Sequence, residues 1–330
     1  MTNSLSAQGL REWKDIVKRY ERPDPKAALW QLANSVIPYL CLWWLAAHSM
    51  SDSTWIAIPL AMMASGFFVR TFIIFHDCGH YSFLRNRRAN EVIGVMTGFL
   101  TFFPYYKWRY EHAVHHATSG NLDNRGVGDI WILTVNEYRD LPPFRRLLYR
   151  LYRNPVVLFG FGPIYLLVNA RLNRKNAGRR ERWNTYITNA ALVAAIAVLC
   201  ALLGWKTVLV VQGLILYCSG IVGTWLFYVQ HQFEGSYFEE CSGWSYFDAA
   251  LRGSSFYKLP GVLQWITGNI GFHHVHHLGP RIPNYNLQRA HQEVAAFQSI
   301  QPITLRRSLS SLRYRLWDEN QKTFVGFREL

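Results

Sequence analysis

Four long apolar runs dominate the hydrophobic pattern of this chain, and polar or charged segments separate them. The runs extend over residues 29–48, 55–75, 185–203 and 207–229. Each is about as long as the helix of roughly 20 residues that crosses the hydrocarbon core of a bilayer. The short turns Ser51-Asp52-Ser53 and Gly204-Trp205-Lys206 join the runs in pairs. The pattern therefore predicts an all-α integral membrane protein with four transmembrane helices arranged as two hairpins.

Two shorter apolar runs, at residues 91–106 and 155–169, fall short of a comfortable span, and the second contains Pro163. If both crossed the bilayer, the segment between them would face the side opposite to the one that the run ending at Phe75 reaches. That segment is rich in arginine, which favours the cytoplasmic side of a membrane. We therefore expect both runs to be interfacial or re-entrant segments.

The formal net charge of +14 must lie in the segments between the apolar runs. Arg85, Arg87 and Arg88 follow the second run, and a further basic stretch covers residues 171–180. The positive-inside rule then predicts a multi-pass protein, expected in the bacterial inner membrane, with a cytoplasmic cap formed by residues 76–182 and 230–330. Such a basic cap suits anionic lipid headgroups or an acidic protein partner. No basic motif of a groove-reading fold is present, so we expect no nucleic-acid partner.

Residues 1–28 lack the apolar core of a signal peptide and instead carry apolar residues at helical spacing among charges. Two alternatives fit this segment, namely an amphipathic helix lying on the membrane surface and a plain cytosolic helix. Arg70 lies inside the second apolar run, close to its cytoplasmic end, and is expected to snorkel or to pair with a carbonyl. We expect residues 1–330 to form a single membrane domain.

Histidines are concentrated in three short runs. Nine of the twelve histidines lie in His76-Asp77-Cys78-Gly79-His80, His112-Ala113-Val114-His115-His116 and His273-His274-Val275-His276-His277. Residues four apart share one face of a helix, so each run presents two imidazoles on one side. His115 and His276 would add a third nitrogen within their own runs. A tenth histidine, His231, follows the fourth apolar run, whereas His48 lies at the far end of the first run and is expected to be unrelated.

The number of imidazoles indicates two metal ions. A zinc site is complete with about four protein ligands, and the runs with His231 offer roughly twice that number. Imidazole nitrogens suit iron, copper, nickel or zinc and disfavour magnesium and calcium. We therefore expect two ions, each held by four or five imidazoles with a position left open, and we favour iron. A membrane transporter or haem-handling protein is the non-enzymatic alternative, but its ligands would lie near mid-span.

The order and spacing of the three runs resemble the histidine boxes of the integral-membrane fatty acid desaturase and hydroxylase superfamily. The first run and the stretch from His276 to Tyr285 are similar to the delta-12 (omega-6) acyl-lipid desaturase branch, as are residues 117–123 and 128–131. The likeness extends over about residues 65–295. It implies a non-haem di-iron centre, O2 as co-substrate, insertion of a cis double bond into a fatty acyl lipid, and two electrons from a separate donor such as ferredoxin or a cytochrome b5-like protein.

The resemblance also implies roles for individual residues. The metal ligands would be His76, His80, His112, His115, His116, His231, His273, His276 and His277. Asp77, Glu111 and Asp129 are candidates for carboxylates that hold ligand N–H groups. His274 occupies a variable position and is expected outside the ligand set, as a supporting or exposed residue. A lipid or carotenoid hydroxylase or ketolase of the same superfamily is the alternative function, because hydroxylation shares the first C–H cleavage and differs only in the later fate of the radical.

Overall fold

The computed structural model describes the backbone of residues 7–330 and the side chains from residue 13 onward. Most of the described chain is helical. The helices, numbered α1 to α16 in chain order, are Ala7–Lys18, Pro25–Ser49, Thr54–Gly79, Arg87–Leu100, Tyr105–Thr118, Val135–Asp140, Pro143–Tyr152, Pro155–Arg171, Arg179–Leu203, Trp205–His231, Tyr246–Arg252, Gly261–Ile266, His273–Leu278, Asn284–Glu293, Ala295–Gln298 and Leu305–Ser308. The predominantly helical prediction is therefore confirmed.

Two small sheets depart from a purely helical fold. The strands β1 (Phe256–Lys258) and β2 (Pro302–Thr304) pair in parallel, with Tyr257 opposite Ile303. The strands β3 (Leu316–Asp318) and β4 (Thr323–Val325) form an antiparallel pair. Each strand has three residues. The sheets are too short to form a layer. The first joins residues 256–258 to residues 302–304, and a bridge between Thr134 and Trp317 joins the second to the segment before α6.

Three helices are long and apolar enough to cross a membrane, namely α3, α9 and α10. Helix α2 has 25 residues but is not among them. Its tryptophans and polar side chains, including Gln31 and Asn34, lower its hydropathy. Helices α7 and α8 are bent by 77° at a short break, which is the geometry of a broken span or a re-entrant loop. Length and composition thus support three of the four predicted spans, and α2 as a fourth span stays a prediction.

Helix α3 is the centre of the helical bundle. Its most apolar window is 56% buried within the protein, against 11% for the corresponding window of α9. Ala57, Ala61 and Ala64 of α3 are fully or almost fully buried, and small residues of this kind let neighbouring helices approach closely. Phe68 of α3 and Ile215 of α10 belong to the same core. Helix α9 therefore presents mainly apolar side chains outward, as a lipid-facing helix would.

Arg70 is buried in α3 and does not extend to water. Its guanidinium donates to the backbone carbonyl of Trp265 and to Asn34 Oδ1, the latter at 3.2 Å. The same group lies 3.8 Å from the centroid of the Trp265 ring. The predicted carbonyl pairing is confirmed. Arg70 thereby fixes the short helix α12 against α2 and α3.

Helix α1 packs against the cap. The Trp13 ring lies 5.3 Å from that of Phe247 and 5.5 Å from that of Phe297, measured between ring centroids. Val17 is buried in the same core, and the Tyr20 hydroxyl donates to Glu293. The described apolar face of this helix is therefore covered by protein. These contacts favour a helix held against the protein, and the two alternatives for this segment, a membrane-surface helix and a plain cytosolic helix, stay predictions.

Candidate metal centre

Four helices bring nine histidines to one region of the molecule. The carboxy-terminal end of α3 supplies His76 and leads directly into His80, and the last residue of α10 is His231. Helix α5 supplies three rings and the six-residue helix α13 supplies three more. Two of these four helices, α3 and α10, are candidate membrane spans. The histidines therefore cluster where the bundle meets the cap.

The nine rings form two groups. In each group the nitrogens that could bind a metal lie within 4.8 Å of one another. The first group comprises His76, His80, His112, His116 and His276, and the second comprises His115, His231, His273 and His277. The rings of His116 and His277 stack across the boundary between the groups with 4.1 Å between centroids. The two groups are therefore immediate neighbours.

The third histidine of each of the last two runs lies in the group formed by the other run. Each pair of histidines four residues apart stays within one group, as helical geometry predicts. His115, however, lies with the α13 pair His273 and His277, and His276 lies with the α3 and α5 pairs. The prediction that His115 and His276 complete the sets of their own runs is wrong. Neighbouring residues on a helix point about 100° apart, so His115 and His116 reach different groups.

The distances between histidine nitrogens in both groups suit a metal ion with more than four ligands. The Nε2 atom of His116 lies 3.1 Å from that of His112 and 3.0 Å from that of His276. In the second group, His231 Nε2 lies 3.2 Å from His115 Nε2 and 3.0 Å from His273 Nε2. Two nitrogens about 2.1 Å from one ion lie about 3.0 Å apart at right angles and about 3.4 Å apart in a tetrahedron. The observed spacing matches right-angled ligands better than tetrahedral ones.

Unpaired nitrogens give an independent test of whether the residues suit a metal. Within the described chain, the buried Nε2 atoms of His80 and His277 have no hydrogen-bond partner. A buried polar atom without a partner costs free energy unless some other ligand satisfies it. A metal ion would satisfy these nitrogens as well as the closely spaced ones. The donor set therefore fits an ion that prefers imidazole.

The rings are held in the form that binds metal. Removal from water, reinforced by the neighbouring imidazoles, lowers the pKa well below its usual value for His80, His112, His116, His273, His276 and His277. These six rings are consequently neutral at pH 7. Only a neutral imidazole offers a lone pair to a metal.

Two of the three predicted carboxylates contact ligand rings. His76 Nδ1 lies 3.0 Å from Asp77 Oδ1, and His115 Nδ1 lies 2.5 Å from Asp129 Oδ1. Each contact holds the Nδ1 side of a ring and leaves Nε2 free for a metal. Glu111 instead forms an ion pair with Lys107 at 3.8 Å, and none of its described contacts is with a histidine nitrogen. The Glu111 side chain leaves α5 on the face of Lys107, four residues earlier, and its predicted role in holding a ligand N–H group stays a prediction.

His274 lies outside both groups, as expected. Its Nε2 is 3.1 Å from Nδ1 of His291 on α14, and its backbone N–H donates to the Ser255 carbonyl. Burial lowers the pKa of His274 to about 3. The side chain therefore serves as a neutral link between α13 and α14. His291 was not predicted from the sequence, because it stands alone on a helix without a histidine pattern.

Sequence reasoning also missed two other residues around the first group. The Trp108 ring stacks on His112 with 4.3 Å between centroids. A Cβ at Gly79 would lie 2.8 Å from the Trp108 ring, so glycine is needed for this approach. Trp108 could have been inferred, since it precedes His112 by four residues on α5. Asn284, which donates to Asp77, lies in the stretch from His276 to Tyr285 that carries the family resemblance. Its partner could not be predicted, because 207 residues separate the two in sequence.

The two groups differ in their exposure. His80 and His112 of the first group are partly exposed, whereas all four members of the second group are buried. A cavity of about 30 Å³ adjoins the second group and is lined by Asp129, Phe227 and His231, among others. That volume holds about one or two water molecules. The second group thus adjoins a small cavity, whereas two rings of the first group are partly exposed.

Comparisons with known proteins agree with this geometry. The family model of the fatty acid desaturases matches residues 53–306. A fatty acid desaturase of Bacillus subtilis (strain 168) is 51% identical over 331 residues, covering 100% of this chain and 94% of that protein. The chloroplastic omega-6 fatty acid desaturase of Arabidopsis thaliana is 28% identical over 278 residues, covering 79% of this chain and 58% of its own length. A protein of Nostoc sp. (strain 36) named sn-1 acyl-lipid omega-3 desaturase (ferredoxin) is 29% identical over 262 residues, covering 76% of this chain and 70% of its own.

The match extends over most of the chain and includes all nine clustered histidines. The most similar of these three relatives is aligned along the whole chain. The histidine clusters are compatible with the di-iron histidine boxes that the sequence resembles. This chain belongs to the fatty acid desaturase family, whose members are oxidoreductases that introduce double bonds into fatty acyl chains.

Proposed function

We propose that this protein is a membrane di-iron acyl-lipid desaturase that inserts a cis double bond with O2 and two electrons from an external donor. His76, His80, His112, His116 and His276 would hold one iron, and His115, His231, His273 and His277 would hold the other. The observation that carries this proposal is the pair of adjacent all-nitrogen groups with right-angled ligand spacing. Such sets leave room for a further ligand on each ion and suit iron.

Bound iron would supply the O2-derived oxidant that cleavage of an unactivated methylene C–H bond requires, which no acid or base side chain can provide. The protein's own residues have other tasks. Asp77 and Asp129 fix the orientation and the tautomer of two ligand rings. Burial of the second group excludes bulk water from the reacting region. The fold then has to present one methylene pair of the acyl chain to the first group or to the gap between the groups.

The position of the histidines supports the substrate class and the location that we propose. The groups lie at the ends of α3 and α10, two apolar helices, where the carbonyl end of a membrane lipid would also lie. We infer that α2 is the fourth span, that α7 and α8 stay at or within one interface, and that the histidines face the cytoplasm. The arginines that follow α3 support this orientation. The expected location is the inner membrane of a bacterium.

A separate protein would deliver the electrons. The Nostoc relative is named for ferredoxin, and the sequence of this chain is basic, with a net charge of +14. An acidic ferredoxin or a cytochrome b5-like protein would be attracted to the basic cap by long-range electrostatics. The three relatives are all named as desaturases. We therefore propose desaturation, not hydroxylation, as the outcome.

Expression in a bacterial host that lacks the product tests the proposal. Gas chromatography with mass spectrometry of the lipid-bound fatty acids is expected to show a new monoene or diene, and the purified protein is expected to contain about two irons per chain. A hydroxy acid in place of the alkene would contradict the proposed outcome. One zinc per chain would contradict the di-iron centre. Feeding deuterated fatty acids would then locate the double bond.

A further inference from the structure

Asp77 sits at the end of a buried polar chain that begins on α2. Its Oδ1 contacts His76 Nδ1, and its Oδ2 accepts hydrogen bonds from the Asn284 backbone N–H at 2.7 Å and from Asn284 Nδ2 at 2.8 Å. The Asn284 side chain in turn exchanges hydrogen bonds with Gln31, at 2.9 Å from Gln31 Nε2 and 3.2 Å to Gln31 Oε1. His76, Asp77, Asn284 and Gln31 are each no more than 4% exposed. The chain is thus sealed from water along its whole length.

The carboxylate fixes the hydrogen positions along this chain. A carboxylate can only accept, so the Asn284 side chain must present its NH2 group to Asp77 and its carbonyl oxygen to Gln31. For the same reason, the hydrogen between His76 and Asp77 lies on His76 Nδ1. His76 Nε2 then keeps its lone pair. Asn284 thus donates twice to Asp77 Oδ2, and Asp77 Oδ1 in turn holds the Nδ1 side of His76.

Asn284 also joins two elements that supply ligands to the first group. It is the first residue of α14 and follows α13, which carries His276, whereas Asp77 and His76 belong to α3. Asn269 Nδ2 donates to the Asn284 carbonyl at 3.2 Å. A Cβ at Gly268, whose φ is +53°, would lie 3.3 Å from Asn284 Oδ1 and 2.7 Å from Ile73 of α3. The absence of a side chain at Gly268 therefore allows the loop before α13 to pack closely against both Asn284 and α3.

The second group has no comparable support in the described structure. His115 is held by Asp129, whose side chain is 18% exposed against 2% for Asp77. His231 Nδ1 contacts the Gly253 carbonyl at 3.2 Å. Neither contact involves Asn284; the Asp129 contact is partly buried and the Gly253 contact is buried. A defect at Asn284 would consequently affect the first group and spare the second.

We propose that Asn284, secured by Gln31, is the positioning residue for the first metal group. It holds the Asp77 carboxylate, and through Asp77 it orients His76, so that the ligands of α3 and α13 meet in one coordination sphere. The inference rests on the proposed di-iron function. Loss of the amide would leave one oxygen of a buried carboxylate without its donors, which is costly in a dry interior. The carboxylate would then turn toward other donors and release His76.

Replacement of Asn284 with leucine, which has a similar size and no side-chain donor, tests the proposal. Wild-type and variant proteins are purified from membranes after growth with 57Fe, and iron content and Mössbauer spectra are recorded. We expect N284L to lose about half of the bound iron and to lose or alter one of the two iron signals, with the other signal unchanged. Asn286→Leu, on the same helix and bonded to the backbone of Tyr20, is the matched control and should retain both signals.

Unchanged iron content and spectra in N284L would overturn the proposal. If N284L does not accumulate in the membrane, Gln31→Leu decides, because it leaves the two Asn284–Asp77 contacts in place and removes only their support. Q31L should alter the signal of the same iron, and an unaltered spectrum would count equally against the proposal. The wild-type measurement separates this inference from the function itself. A wild-type protein without two irons would refute the di-iron proposal, whatever the variants show.

Discussion

At the residue scale, nine histidines from four parts of the chain lie together in two neighbouring groups. Spacing by four residues placed three pairs of rings correctly on shared helix faces. The assignment of His115 and His276 depends on how α13 packs against α5, and no local pattern encodes that packing. The same holds for Asn284, whose partner Asp77 is remote in sequence. Local periodicity therefore predicts pairs of ligands, whereas tertiary packing decides the composition of each group.

Replacing His112 with alanine tests the ligand assignment at the first group. Its Nε2 lies 3.1 Å from that of His116, and its ring stacks on Trp108. We expect H112A to remain in the membrane at normal abundance and to form no detectable product, because the iron that it helps to hold would be lost. The measurement is gas chromatography of lipid fatty acids together with immunoblotting of membranes.

His48→Ala is the matched control for this variant. The His48 side chain is exposed on α2 and stacks on Trp44 with 5.2 Å between ring centroids, far from either group in the helical hairpin. Product formation in H48A should equal that of the wild type. An equal loss of product in both variants would show that the assay reports expression and not the metal centre.

At the scale of elements, the apolar runs predicted where helices lie more reliably than where they end. The run at residues 55–75 corresponds to α3, which continues to Gly79, and the run at residues 207–229 corresponds to α10, which continues to His231. The helices thus carry their histidines as direct extensions of apolar segments. The three-residue strands could not be predicted, since pairing between distant segments, such as Phe256 with Pro302, defines them. Periodicity also could not distinguish a lipid surface from an apolar protein surface as the partner of α1.

The packing of α1 on the cap predicts a stability effect. Trp13→Ala removes a ring that contacts Phe247 and Phe297. We expect the free energy of unfolding of the cap to fall by about 2 kcal/mol, the usual contribution of a large apolar side chain on burial. Unfolding in detergent micelles, followed by tryptophan fluorescence and circular dichroism, provides the measurement.

Lys14→Ala serves as the comparison, because this side chain is exposed on the same helix. Its effect on the free energy of unfolding should lie within about 0.5 kcal/mol. If W13A were as stable as K14A while binding to lipid vesicles decreased, α1 would be a membrane-surface helix after all. The contacts of Trp13 with Phe247 and Phe297 would then not persist in the bilayer.

At the scale of the whole molecule, topology determines whether the histidines can meet. The carboxy-terminal ends of α3 and α10 lie side by side, because His76 and His80 belong to the group next to the one that contains His231. The parity argument from sequence places these ends on one cytoplasmic side of the membrane, and that orientation stays a prediction. The tryptophans and polar residues of α2 lower the hydropathy of its most apolar window below that of α3, α9 and α10, so that α2 as a fourth span also stays a prediction.

Cysteine labelling tests the four-span arrangement. In a variant without the five native cysteines, Asp52→Cys in the turn between α2 and α3 should react with a membrane-impermeant maleimide in intact spheroplasts. Arg88→Cys at the start of α4 should react only after permeabilisation. The expected result is this opposite pattern. Labelling of both positions from the same side would exclude α3 as a complete span.

The free energy of unfolding of the protein should decrease at acidic pH. Because burial lowers the pKa of the clustered rings, the unfolded chain binds protons below about pH 6.5 that the folded chain does not bind. The free energy of unfolding therefore decreases as the pH falls below about 6.5 and is nearly constant above it. Melting temperature and retained iron, measured from about pH 8 to about pH 5, should both fall in this window. A profile that is flat across about pH 6.5 would contradict the neutral state of the rings.

The difference in burial between the two histidine groups has a consequence for how the protein would lose its metal ions. Loss of a bound ion requires that a competing ligand or a proton reach its imidazoles, and the partly exposed His80 and His112 would be reached more readily than the four buried rings of the second group. A dilute chelator should consequently strip the protein in two stages, with a long-lived half-loaded species between them. In the cell, an enzyme that has lost one ion would then need metal only at the first group, because the ion in the second group would be retained.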